Sequence, residues 1–262
     1  MKSNITFVTC YLQIYDIDYD DSKTFEKRLE LFMKIVELGV NISVFISPEY
    51  ENTFNNITKK YNNIKVIEVL SIDELIFTKM TNNNKEYCNL PEIRNIIKDS
   101  PNYMTLMNSK TEFLYKTILA NPFNTEYFAW FDFSLPYIFK NLNTTLMEFK
   151  KLSLQNYIGS FIAIPGCLNF KINDVNWIKN TVVWRFCGGF LIGDKNSLLN
   201  FYNVSINYFP NFLKLTNNVL WEVNYWAWLE GCGYISPLWF LADHNDTIIY
   251  IPSVLYTKCL HP

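Results

Sequence analysis

Asn121-Pro-Phe-Asn-Thr-Glu-Tyr-Phe-Ala-Trp-Phe-Asp-Phe-Ser134 is the stretch on which the reading of this chain turns. Five apolar residues, 127–131, run without interruption into one carboxylate, Asp132, and a polar break follows at Ser134. A short continuous apolar run reads as a strand buried on both faces, and open α/β sheets bind their ligands at the carboxyl ends of such strands. A carboxylate among so many aromatic rings is unfavourable unless a cation or hydrogen-bond donors meet it. Asp132 is therefore the first candidate for chemistry, the plain alternative being an acid that caps the next turn.

Outward from this strand the pattern alternates. Residues 5–12 read as an opening strand. Asp20, Asp21 and Ser22 are candidate caps for a helix carrying Phe25, Leu29, Phe32 and Val36 on one face, with Gly39 as its stop. Strands are expected over 42–46, halted by Ser47-Pro48, and over 64–70. Ser71 and Glu74 then have capping-box spacing for a helix through Met80, and 81–87 reads as a loop. A long helix over about 103–119 delivers the chain into the Asp132 strand. Further strands are expected at 161–164, 188–192 and 248–251, and helices at 195–208 and 219–229. Strands alternating with helices predict a mostly parallel sheet covered by helices, with 1–262 forming one domain.

Composition narrows the function. The chain has 262 residues, 49% of them apolar and 17% aromatic, and a formal net charge of −2. That suffices for a large core and offers no basic stripe for a phosphate backbone, which argues against nucleic-acid binding. Six cysteines without a CxxC pair read as free thiols rather than a zinc site. No apolar run approaches the roughly 20 residues of a membrane span, and Met1 leads into a strand without a signal-peptide core. The expectation is a cytoplasmic protein, in the host cytoplasm if the source is viral. Its oligomeric state stays open, a homodimer included.

Four groups of residues carry candidate chemistry. Asp132 at a strand end suits a divalent cation or a ribose hydroxyl, and Lys110 on the preceding helix suits the charge of a departing diphosphate. The turn Trp184-Arg-Phe-Cys-Gly-Gly-Phe190 pairs Gly188 and Gly189, which permit close backbone approach, with Arg185, whose guanidinium fork suits phosphate or sugar hydroxyls. It is neither a P-loop nor a dinucleotide fingerprint. Glu222 lies among Trp221, Tyr225, Trp226 and Trp228 at helical spacing, either as a core stripe or as a sugar-gripping surface whose acid deprotonates an acceptor hydroxyl. His244, between Asp243 and Asp246 in a polar turn, suits a metal or a phosphate, the alternative being a structural histidine.

With these residues set out, the chain resembles the HtrL/YibB-type family of glycosyltransferase-like proteins, with relatives in bacteria and giant viruses. The resemblance rests on Ile5-Thr-Phe-Val-Thr-Cys-Tyr11, Asn108-Ser-Lys-Thr-Glu-Phe-Leu-Tyr115, the Asn121–Asp132 stretch, Gly188-Gly189 and Asp243-His244. It implies a GT-A-like α/β fold with a mixed, mostly parallel central sheet flanked by helices. A Rossmann-like nucleotide-sugar-binding half would span about 1–135 and an acceptor-binding half about 136–262. It also implies Thr9 and Tyr11 at the base, Lys110 at the donor ribose or sugar, and Glu222 as the acceptor-side acid. The usual strand-end motif of that fold is Asp-x-Asp, binding Mn²⁺ or Mg²⁺ and the donor. Here Ser134 stands in place of the second acid, so His244 with Asp243 or Asp246 is the expected source of the missing ligand.

The expectation is a metal-assisted glycosyltransferase, of hexosyltransferase type, that takes a nucleotide-sugar (UDP-sugar favoured) to a glycan or other hydroxyl acceptor in glycan biosynthesis. A catalytically degenerate carbohydrate-binding or assembly protein on the same scaffold is the alternative. Nucleotidyl transfer is disfavoured because residues 11–21 are acidic and aromatic, not rich in glycine and cations.

Overall fold

The computed structural model describes residues 3–15 and 24–257. Seven strands form one sheet: β1 (Ile5–Tyr11), β2 (Asn41–Ile46), β3 (Ile64–Val69), β4 (Tyr127–Phe131), β6 (Ile162–Gly166), β7 (Phe190–Asp194) and β8 (Leu238–Leu241). Their order is β3-β2-β1-β4-β7-β6-β8. The pairs β3–β2, β2–β1, β1–β4 and β6–β8 are parallel, and β7 runs antiparallel to both β4 and β6. This is the expected mixed, mostly parallel central sheet. Strands β5 (Asn156–Tyr157) and β9 (Tyr256–Thr257) pair apart from it.

Pleat alternation sends successive side chains to opposite faces, both of them covered, which is why the central strands are largely apolar. Val8, Phe128 and Trp130 enter one core, and Phe7, Ala129 and Phe131 the other. Helices α3 (Ile76–Asn83), α4 (Pro101–Asn108), α5 (Lys110–Ala120), α8 (Lys195–Thr216) and α9 (Glu222–Gly231) contribute to the first core. Helices α1 (Phe25–Val36), α2 (Glu51–Lys60) and α6 (Leu142–Ser153) contribute to the second. Short α7 (Val175–Asn180) completes the set of labelled helices.

Several expectations change. Thr24 caps α1, while Asp20, Asp21 and Ser22 lie outside the described residues. The Ser71–Glu74 capping box forms, with Ser71 N–H donating to Glu74 at 2.7 Å, but it closes a 3₁₀ turn and α3 starts only after Leu75. The expected loop at 81–87 is the end of α3 followed by another 3₁₀ turn. The long helix over 103–119 is two helices broken at Ser109. Residues 248–251 belong to no strand: Asp246–Ile249 is a 3₁₀ turn whose isoleucines are buried. Among the described residues no helix is long and apolar enough to cross a membrane. The five described cysteines are free, as expected.

Candidate functional site

The strand order reverses between β1 and β4, because β1 leads through α1 to β2 on one side and β4 lies on the other. Ligands of open α/β sheets bind at such a switch point. A cleft of about 310 Å³ opens there, lined by Cys10, Tyr11 and Leu12 after β1 and by Trp130, Asp132 and Ser134 after β4. Tyr15, Arg28, Lys98, Tyr103 and Tyr137 also line it.

Behind the cleft sits a buried charge cluster. The helix break at Ser109 makes Lys110 the first residue of α5 and leaves it 1% exposed. Its ammonium donates to Glu222 Oε1 at 2.8 Å and the Gly188 carbonyl at 2.8 Å, and meets Asp132 Oδ1 at 2.9 Å. Those contacts use all three of its N–H groups. A lysine at a helix N-terminus opposes the helix dipole, and a buried ammonium without partners is strongly unfavourable. Burial alone would lower the Lys110 pKa; Asp132 and Glu222 outweigh it and hold the pKa above its ordinary value. Glu222 in turn opens α9, where the dipole favours an acid. Two carboxylates and one ammonium leave the cluster one negative charge.

Asp132 links the cluster to the cleft. Its Oδ1 also accepts from Trp130 Nε1 at 2.9 Å, and its N–H donates to the Gly189 carbonyl at 3.0 Å. The side chain is 40% exposed. Packing requires Gly188, where a Cβ would stand 1.9 Å from Glu222 Oε1; at Gly189 a Cβ would press on Ile248 Cδ1 at 3.2 Å and lie in ordinary contact with Asp132 Oδ2 at 3.5 Å. Cys10, buried beneath this cluster, has its thiol pKa pushed up by burial and by Asp132. Burial, Glu222 and Asp132 raise the pKa of the Tyr103 hydroxyl well above the ordinary value.

The structure brings together Asp132, Ser134 and Tyr11 in the cleft, with Lys110, Glu222, Gly188 and Gly189 immediately behind. Tyr11 packs against Phe25, Tyr50 and Phe133. The position expected for a second acid, Ser134, accepts a hydrogen bond from Arg28 at 3.4 Å. Thr9 lies inside the sheet, fully buried, and does not line the cleft. Arg185 is committed elsewhere: it grips Glu230 at 2.6 and 2.7 Å, donates to the Leu168 carbonyl at 2.8 Å, and lies 5.1 Å from the Trp239 ring.

His244 and Asp243 follow β8 on an exposed turn, and the His244 ring meets Trp184 edge-on at 4.4 Å. Partial withdrawal from water holds the His244 pKa below its ordinary value against the fields of Asp243, Asp132 and Glu222. Asp246 is occupied otherwise, accepting from the N–H groups of Lys140 and Asn141 just before α6 and from the Thr145 hydroxyl in its first turn. Trp221 and Trp226 are core residues with no face left for a sugar, and the aromatic residues Phe201, Phe209 and Phe212 are likewise buried. Among the described residues no three His, Cys, Asp or Glu side chains converge on a point that would hold a metal. Sequence reasoning missed Lys98, Tyr103 and Tyr137, and gave Arg28 no role; no local motif marks any of them.

Fold and site together define an α/β protein with a charged, aromatic-lined cleft at the switch point of a mixed, mostly parallel sheet. The chain belongs to the HtrL_YibB family, described as bacterial proteins of unknown function, whose pattern matches residues 3–220. No curated protein matches the sequence. Among solved structures, 4-diphosphocytidyl-2C-methyl-D-erythritol synthase from Anaerococcus prevotii is similar at 13% identity, over 92% of this chain and 88% of that one, with a TM-score of 0.43. Apo mouse xyloside xylosyltransferase 1 is similar at 8% identity, over 93% and 86%, also with a TM-score of 0.43. Similarity this distant says nothing of the chemistry.

Proposed function

We propose that this protein is a glycosyltransferase that transfers a sugar from a nucleotide-sugar donor, UDP-sugar favoured, to a hydroxyl of a glycan acceptor. The observation that carries this reading is the Lys110–Asp132–Glu222 cluster, which fixes one half-exposed carboxylate at the strand end where an α/β sheet holds its ligand. The half up to about residue 135 takes the donor, with Tyr11 against the base, and the remainder takes the acceptor. Asp132 holds a ribose hydroxyl or the donor's cation. Glu222, held by Lys110 and 5% exposed, acts as a positioning residue that orients Lys110 and through it Asp132.

Mn²⁺ or Mg²⁺ fits this donor set only in part. Lys110 and Trp130 occupy Asp132 Oδ1, which leaves Oδ2 and, from the turn after β8, His244 and Asp243 as candidate ligands. Such ions are commonly held by one or two carboxylates together with substrate phosphates and water. When bound there, the ion would offset negative charge on the departing diphosphate.

Calorimetry with UDP, GDP and CDP, in Mn²⁺ and in EDTA, tests the reading. Micromolar binding of one nucleotide, lost in Asp132→Asn, is the expected result. Absence of binding by all three would overturn it, and release of pyrophosphate from a nucleoside triphosphate with a sugar phosphate would reassign the site to nucleotidyl transfer.

A further inference from the structure

A departing diphosphate needs cationic partners in the cleft itself, and the two lysines of this region differ in their availability. Lys110 is 1% exposed, lies behind Asp132, and has every N–H engaged. For Lys110 to reach a phosphate, two carboxylates would lose their shared counter-ion, which is strongly unfavourable. Lys98 is half-buried, lines the cleft, and has no carboxylate within ion-pair distance among the described residues.

We infer that Lys98 is the residue that binds the diphosphate of the nucleotide-sugar, and that Lys110 serves only to hold Asp132 and Glu222. The inference rests on the glycosyltransferase reading and deepens it.

The local structure holds Lys98 ready for this task. Its ammonium lies 4.6 Å from the centroid of the Tyr103 ring, a cation–π contact that fixes the side chain against the cleft wall without neutralising its charge. The backbone beneath it is held at several points. Asn95 Oδ1 accepts the N–H groups of Ile97 and Lys98 at 3.1 and 3.0 Å, and Asp99 Oδ2 accepts the Asn95 N–H at 3.0 Å. The Tyr15 hydroxyl donates to the Lys98 carbonyl at 2.6 Å.

The test is calorimetric titration of wild type, Lys98→Ala and Lys98→Arg with UDP, uridine and inorganic pyrophosphate, in Mn²⁺ and in EDTA. Expected is a loss of tenfold or more in UDP and pyrophosphate affinity for Lys98→Ala in both buffers, unchanged uridine binding, and recovery to within about threefold in Lys98→Arg. Thermal unfolding of each variant guards against misfolding. Wild-type UDP binding that survives Lys98→Ala unchanged would overturn the assignment of Lys98 and leave the transferase reading standing. If Lys98→Ala weakens uridine as much as UDP, the residue supports the cleft wall, and the inference also fails. A wild type that binds neither UDP nor pyrophosphate would overturn both.

Discussion

At the scale of single residues, the account depends on which charges are shared and which are exposed. Lys110 is the shared counter-ion of the buried Glu222 and the partly exposed Asp132, so Lys110→Met leaves both without it. Loss of one partner of a buried ion pair costs about 3–5 kcal/mol, and denaturant unfolding should show a destabilisation of that order. Arg185→Ala should also destabilise, by freeing Glu230 in the core, yet leave UDP affinity of the folded fraction unchanged, as calorimetry would record. Gly188→Ala places a methyl on Glu222 and should lower both stability and nucleotide affinity. Asp132 was legible in the sequence because a lone carboxylate ended an apolar strand. Arg185 was misplaced because a scarce guanidinium beside paired glycines looks the same whether it faces a ligand or a buried glutamate.

At the scale of elements, legibility follows the strength of the local pattern. Strand β4 is a continuous apolar run, β1 and β2 are fully or nearly fully buried, and the edge strand β3 alternates apolar residues with Lys65 and Glu68, and each was readable. Helix α8 runs through Pro210 to Thr216, eight residues beyond the expected end at Tyr208; proline usually stops a helix, and here packing of Phe209 and Phe212 carries it on. Pro210→Ala should therefore raise stability by about 1 kcal/mol or more, read from the denaturant midpoint. Residues 248–251 looked like a strand because a short buried apolar run has no distinguishing period. Asp246 anchors that turn to the start of α6. Although burial works against its ionised form, hydrogen bonds from Thr145, Asn141 and Lys140 hold its pKa below the ordinary value. Its contribution is present above about pH 4 and is lost as pH falls through its folded value, so the stability gap between wild type and Asp246→Asn should narrow below that pH. Thermal unfolding across pH 3–7 measures it.

At the scale of the molecule, the sheet brings distant segments to one edge. Lys98 precedes α4 and Asp132 follows β4, yet both line one cleft, and Glu222, which opens α9, joins Asp132 through Lys110; no spacing in the chain announces this. The candidate site was legible where an acid sat on a readable strand, and illegible where its parts came from loops that only the fold assembles. Ligand binding to the folded state alone raises its stability by mass action, so a true donor should lift the unfolding temperature in proportion to its saturation.

The central claim is that Asp132 anchors a nucleotide-sugar for transfer. Its most direct measurement is nucleoside diphosphate release from a panel of UDP-, GDP- and CDP-sugars by wild type and by Asp132→Asn, with Mn²⁺ present. The account predicts release from at least one donor by wild type, and a fall of a hundredfold or more in a folded Asp132→Asn protein. Equal release by the two proteins, or none from any donor, would contradict it.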